Sequence, residues 1–260
     1  MTAILRAEST RLVRSSTVLT GVLAMVTAMF LAVFPAMKDE ADAIEAAYPD
    51  YVLELMGITE LNTIEGFAGG YIYPFVWILF AGMYVGYVGA GTIADDVRTR
   101  KMDLTLSNPV SRESVVVQKV AALWVPLVAV NVGLAFVMAV GASLVGESLD
   151  PGALALAHLL GTPYLLVCGG VGVLLSVVTD RGGRARAATL GLVFLLWLLD
   201  GLAAMEPEYE WLAELTPSHY YDPTAILLHD EYAFLDATLL LATFLLFVIV
   251  ATAVFVRRDI

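Results

Sequence analysis

Six long apolar stretches alternate with short polar segments along the 260-residue chain. Residues 15–37, 66–94, 120–146, 152–179 and 237–256 carry no Asp, Glu, Lys or Arg, and residues 187–205 carry only Asp200. A bilayer-crossing helix needs roughly 20 predominantly apolar residues. The pattern therefore predicts an all-α integral membrane protein with six transmembrane helices, at about residues 16–37, 71–94, 115–146, 152–179, 187–205 and 237–256. The first apolar run is too long for the core of a signal peptide and lacks a small-x-small cleavage site, so it is expected to be a span. No repeat, low-complexity tract or flexible linker divides the chain, and one transmembrane domain over residues 1–260 is expected.

The polar segments have their own patterns. Ahead of the first span, Arg6, Arg11 and Arg14 are interleaved with Ile4, Leu5, Leu12 and Val13, a spacing suited to an amphipathic N-terminal helix at the membrane interface. Residues 38–65 are acidic but carry Ile44, Tyr48, Val52 and Leu55 at helical intervals, predicting short helices on the outer face. Tyr71, Tyr73 and Trp77 are expected to form an aromatic belt where the second span begins. Pro126 is expected to kink the third span. Four glycines in the fourth, Gly161, Gly169, Gly170 and Gly172, permit close helix packing. A compact basic loop with Arg181, Arg184 and Arg186 should follow it, and residues 206–236 should contain a further surface helix.

Composition agrees with this picture: 59% of residues are hydrophobic, 15% charged, and mean hydropathy is +0.81. The single cysteine, Cys168, excludes an internal disulfide framework and is expected to be an apolar packer. Net charge is −12, but its distribution matters more than its total. Of 14 basic residues, 13 fall in the N-terminal segment, the two basic loops and the C-terminal tail, leaving Lys38 on the other side. Of 26 acidic residues, 19 lie on that other side. The positive-inside rule then predicts cytoplasmic N and C termini. An acidic exterior of this kind either keeps a protein hydrated in concentrated salt or gathers a cationic substrate at a pore mouth. Because the acids are spread over all the outer loops, adaptation to salt is the preferred expectation, which points to the cell membrane of a salt-adapted prokaryote.

Chemistry within the chain is sparse. None of its three lysines sits in a Walker A sequence, HExxH is absent, and the three histidines are not at metal-ligand spacing. Neither a metal site nor a cofactor site is expected, and no nucleic-acid partner. Gly141-Ala142-Ser143 and Ala157-His158-Leu159-Leu160-Gly161 resemble the serine and histidine motifs of rhomboid intramembrane proteases. The match fails in detail, because Leu144 replaces the small residue after the serine and the two segments flank a single turn. A stand-alone secondary transporter would need ionisable groups in mid-membrane. Only His158 and Asp200 are available, both nearer the outer interface, so an energy source outside the chain is expected.

The long polar interruption IADDVRTRKMDLTLSNPVSRESVVVQK, residues 93–119, carries five of the basic residues against four acidic ones. A net charge of +1 is too weak for electrostatic docking alone, and the expectation rests on an apolar stripe of Leu104, Leu106 and Val110, with Pro109 forcing a turn and Ser111 capping the next helix. The segment resembles the cytoplasmic coupling region of type-2 ABC transporter permeases, through Asp96, Leu104, Leu106, Pro109, Val110, Ser111, Arg112 and Lys119. A basic N-terminal helix, six spans, LTPSHYYDP before the last span and the C-terminal FVRRDI extend the resemblance over the chain. It implies the transmembrane subunit of an ABC transporter, an exporter, that performs no chemistry itself. It pairs with itself or a sister permease and with two ABC ATPase subunits that carry ATP and Mg. The ATPase-coupling residues it implies are Asp96, Arg98, Leu104, Leu106, Pro109 and Arg112, with contributions from Arg181, Arg184 and Arg186.

Overall fold

The computed structural model describes residues 3–47, 62–205 and 207–258. They are helical with no strand, and six helices are long and apolar enough to cross a membrane. Helix α1 spans Ala3–Ala47, a run of 45 residues. At 1.5 Å per residue it is about 68 Å long, more than twice a hydrocarbon core of roughly 30 Å, so it projects well beyond the bilayer. The basic N-terminal stretch is its opening turns, continuous with the first span, and the acidic residues after Met37 begin as its last turns. The remainder of the expected outer-face helices, residues 48–61, lies outside the described residues.

Helix α2 covers Ile64–Arg98. Thr63 caps it, its hydroxyl accepting from Gly66 N at 3.1 Å. From Ala68 to Ala81 the helix is wound as a π-helix around Pro74. Proline has no N–H to donate and its ring collides with the preceding turn of an α-helix, and the wider winding accommodates it. The helix of the second span thus starts earlier than residue 71, and the aromatic belt is not formed there. Tyr73 and Trp77 are 2% and 1% exposed, turned into the protein core against His158. Near its far end α2 breaks at Thr92–Ile93, and the N–H groups of Ile93 and Ala94 both donate to the hydroxyl of Ser176, each at 2.8 Å. A hydroxyl from a neighbouring span thereby satisfies two backbone donors that would otherwise be stranded in an apolar interior.

A short helix α3, Lys101–Leu106, follows Arg100, which takes a left-handed conformation with φ 55°. Helix α4, Arg112–Leu144, begins at Ser111, whose hydroxyl accepts from Ser114 N at 3.2 Å. The proline effect appears as a helix break at Ala122–Leu123: Pro126 cannot donate to the Ala122 carbonyl, which takes Val125 N at 3.1 Å instead. Helix α5, Pro151–Val178, is capped by Asp150, and α6, Gly182–Ala203, follows after three residues. Arg184 and Arg186, expected in a loop, lie in the opening turns of α6. A four-residue helix and two 3-10 turns lead to α7, Pro223–His229, capped by Asp222, and to α8, Phe234–Arg257.

Helix α5 lies at the centre, packed on α2 and α8, while α1 packs on α4 and α6 on α2. Glycines set the α2–α5 spacing. A Cβ at Gly172 would stand 2.6 Å from Ala90 N and collide with the Gly86 carbonyl, so only hydrogen fits where the two backbones touch. Tyr221 locks the opening turns of α5 by donating to the Ala157 carbonyl at 3.0 Å, and burial pushes its phenol well above the ordinary range, keeping the proton in place. Large apolar side chains such as Val132, Phe136 and Ile249 are exposed around the outside, as a lipid-facing surface requires. Gly172→Ala is expected to cost about 1–3 kcal/mol through overpacking, seen as a lowered Tm of the detergent-purified protein. Gly201→Ala, where nothing lies within 4 Å, should leave Tm unchanged.

Candidate functional site

The start of α1, the end of α8 and both basic segments meet at one end of the bundle, and buried ionic contacts join them. The Lys119 ammonium, 2% exposed, donates to Asp96 Oδ2 and to Glu8 Oε1, each at 2.6 Å. Glu8 in turn pairs with Arg11 at 2.6 Å. One cation on α4 therefore joins the end of α2 to the start of α1. Leu5 N reinforces this by donating to Gln118 Oε1 at 3.3 Å, as does Trp124 Nε1 to Ser9 Oγ at 3.1 Å. Arg186 on α6 pairs with Asp95 of α2 and stacks 4.6 Å from the Tyr87 ring centroid. Arg112 donates to the terminal carbonyls of α8, at 3.2 Å to Phe255 and 3.3 Å to Val256, and to Arg258. These are orphan acceptors at the negative end of a helix, where a guanidinium is favoured. Arg258 donates to the Val177 carbonyl at 2.6 Å and pairs with Asp180, closing the circuit to the end of α5.

Against this frame the residues expected to dock a partner separate into two groups. Asp96 is buried, and Arg112 and Arg186 are half-buried in the contacts above; Met102, outside the expected set, is buried as well. They hold the segment in place. Arg98, Leu104, Pro109, Arg181 and Arg184 are exposed. The expected apolar stripe is divided. Leu104 is 71% exposed, whereas Leu106 and Val110 pack against the core. Positions two apart on a helix do not share a face, so Leu104 and Leu106 could not both point outward. Glu8 is not among the residues expected at the site, and Lys119 enters the expectation only as part of the family resemblance, with no partner assigned to it. The detectable signal was Lys119 following Val115 and Val116 on the apolar side of α4, a charge that requires a buried partner.

The apparent serine–histidine pair does not form. The Ser143 hydroxyl donates to the Ala139 carbonyl at 2.9 Å, and His158 is enclosed by the rings of Tyr73 and Trp77, with centroids at 5.8 and 4.6 Å. Without a base beside the hydroxyl there is no activated nucleophile. What remains is a membrane bundle with one cross-tied basic end that presents a short exposed helix. A family model described as ABC-2 family transporter protein matches residues 2–260. The chain belongs to the ABC-2 transporter family. A search of curated proteins found no match. As an ABC-2 permease it is a multi-pass membrane subunit of a transporter that associates with ABC ATPase subunits, and the segment between α2 and α4 lies in its cross-tied end.

Removing one partner from a buried ion pair leaves the other charge uncompensated, at a cost of about 3–5 kcal/mol. Lys119→Met is accordingly expected to lower the Tm of the purified permease sharply, stranding Asp96 beside Glu8. Lys119→Met combined with Asp96→Leu should recover most of the loss, because both deeply buried charges are then replaced by apolar side chains, which is close to neutral, and Glu8 keeps Arg11 as its partner.

Proposed function

We propose that this permease couples ATP hydrolysis by separate ATPase subunits to export, through the exposed face of α3 and its flanking turns. The observation that carries the reading is Leu104: a leucine 71% exposed on a short helix at the polar end of a membrane bundle. That helix is anchored by fully buried Met102 on its opposite side and by the Asp96–Lys119 pair behind it. An anchored helix with an apolar knob can transmit a push, because the contacts behind it do not yield independently of the spans. ATP and Mg are bound by the partner ATPases, whose closure displaces α3 and, through the ionic contacts, the ends of α1, α2 and α4 together. Exposed Arg98, Pro109, Arg181 and Arg184 flank the same contact surface.

The basic end is cytoplasmic in this reading, in line with the positive-inside rule. The opposite end, rich in Asp and Glu, faces outward and keeps the protein hydrated in a salt-adapted prokaryote's cell membrane. The transport path forms where this chain meets a second copy or a sister permease.

Leu104→Asp is expected to abolish copurification of the ATPase while leaving insertion and Tm unchanged, since the side chain is in solvent. Unchanged copurification would contradict docking at α3. Leu106→Asp is a poorer probe, because it also buries a charge. For orientation, Asn108→Cys should be labelled by an impermeant maleimide in inverted vesicles and protected in right-side-out cells. The reverse pattern would overturn the topology. Cys168 is buried and does not interfere.

A further inference from the structure

Where the π-wound part of α2 meets α5, in the half of the bundle away from the basic end, three polar rings come together in the interior. The ring centroids of Tyr73, Trp77 and His158 form a triangle with sides of 4.6, 5.8 and 6.2 Å. Four polar atoms of these rings, Tyr73 Oη, Trp77 Nε1 and both nitrogens of His158, are buried with no hydrogen-bond partner among the described residues. Buried polar atoms in native interiors are nearly always paired, either with protein or with ordered water. The three rings touch without bonding one another, which is the geometry that a bridging molecule requires.

A cavity of about 10 Å³ lies against the same rings. Thr27 of α1 and Leu134 and Met138 of α4 form much of the remaining wall, and no lining residue is more than 5% exposed. A single water needs roughly 10–15 Å³, so the space suits one water and no larger solute. Among the described residues the wall carries no Asp, Glu, Lys or Arg, and an ion would stand there without a counter-charge. The bonding capacities also match water. Trp77 offers a donor, Tyr73 a donor and an acceptor, and a neutral imidazole one of each. Thr27 donates its hydroxyl to the Leu23 carbonyl at 2.9 Å and keeps lone pairs with which to accept. One water that accepts from Trp77 or Tyr73 and donates to the unprotonated nitrogen of His158 satisfies most of the cluster, within the usual two to four bonds of a buried water. The remaining N–H can rest on a ring face, since imidazole and indole stand at 83° to each other.

We propose that this cavity is a binding site for one ordered water that bridges His158 of α5 to Tyr73 and Trp77 of α2. The bridge fastens the π-wound section of α2 to the central helix. Neither ATPase docking nor membrane sidedness enters into it, so it fails or survives separately from the function proposed above. The test is NMR of the purified full chain in micelles, isotope-labelled at its four tryptophans. The Trp77 indole signal is assigned by replacing the other three with Phe one at a time. Its proton is expected to exchange slowly with solvent and yet show cross-relaxation to water. Val76→Ile adds to the cavity wall one methylene, about the size of a water, and leaves all four polar atoms in place. It is expected to remove the cross-peak and lower Tm, because those atoms lose their partner. A dry cavity gives the opposite sign, since filling a void stabilises. Tyr73→Phe should keep the cross-peak, which separates a bound water from a phenol proton exchanging with solvent. The proposal is overturned by absence of the cross-peak in the wild type, by its survival or a raised Tm in Val76→Ile, or by its loss in Tyr73→Phe. The wild-type and Tyr73→Phe spectra decide the matter should Val76→Ile fail to fold.

Discussion

The buried Lys119 ammonium is the contact on which the arrangement of the polar end depends. Two carboxylates from different helices, Asp96 and Glu8, converge on it at 2.6 Å, and with so little water access neither Lys119 nor Asp96 is stable alone. The three helices that supply them would otherwise be held at this end mainly by apolar contact, which in a bilayer has no hydrophobic driving force of its own. Directional ionic and backbone contacts fill that role here. Arg112 on the α8 terminus, Arg186 on Asp95 and Arg258 on Asp180 repeat the device around the bundle. The result is an end where motion of one helix is felt by its neighbours.

That linkage supports the docking role proposed for the segment between α2 and α4. Its anchoring residues face inward, and Leu104 with the flanking arginines faces outward. An input surface for a separate motor needs this division, since a contact that is not anchored dissipates a push and one that is wholly buried cannot be reached. The interior adds stiffness. Gly86, Gly89 and Gly172 let α2 and α5 touch backbone to backbone, and Ser176 ties the break in α2 to α5.

Much of this was legible in the residues. Six spans follow from long apolar runs, of which only the fifth contains a charge, Asp200, and 13 of 14 basic residues fall in alternate polar segments. Ser111 as a helix cap needed only its own chemistry. What escaped was whatever depends on facing direction. Tyr73 and Trp77 look like interfacial aromatics by position, but the π-helical turn around Pro74 rotates the face they occupy. Asp96 has the polarity of a surface residue, and its burial depends on Lys119, 23 positions away. Leu104 and Leu106 look like one stripe until helical geometry sets them on different faces. Arg184 and Arg186 look like a loop because Gly182 and Gly183 precede them, yet Gly182 opens a helix at a point where any Cβ would strike the Asp95 carboxylate.

The central claim is that α3 presents Leu104 to a soluble ATPase while its other side is fixed to the spans. It is tested most directly by placing a photo-crosslinking amino acid at position 104 in cells that express the complete transporter. The account predicts a crosslinked adduct with the ATPase from position 104 and none from position 132, where Val132 faces lipid. Absence of an ATPase adduct at position 104, or equal adducts at both positions, would contradict it.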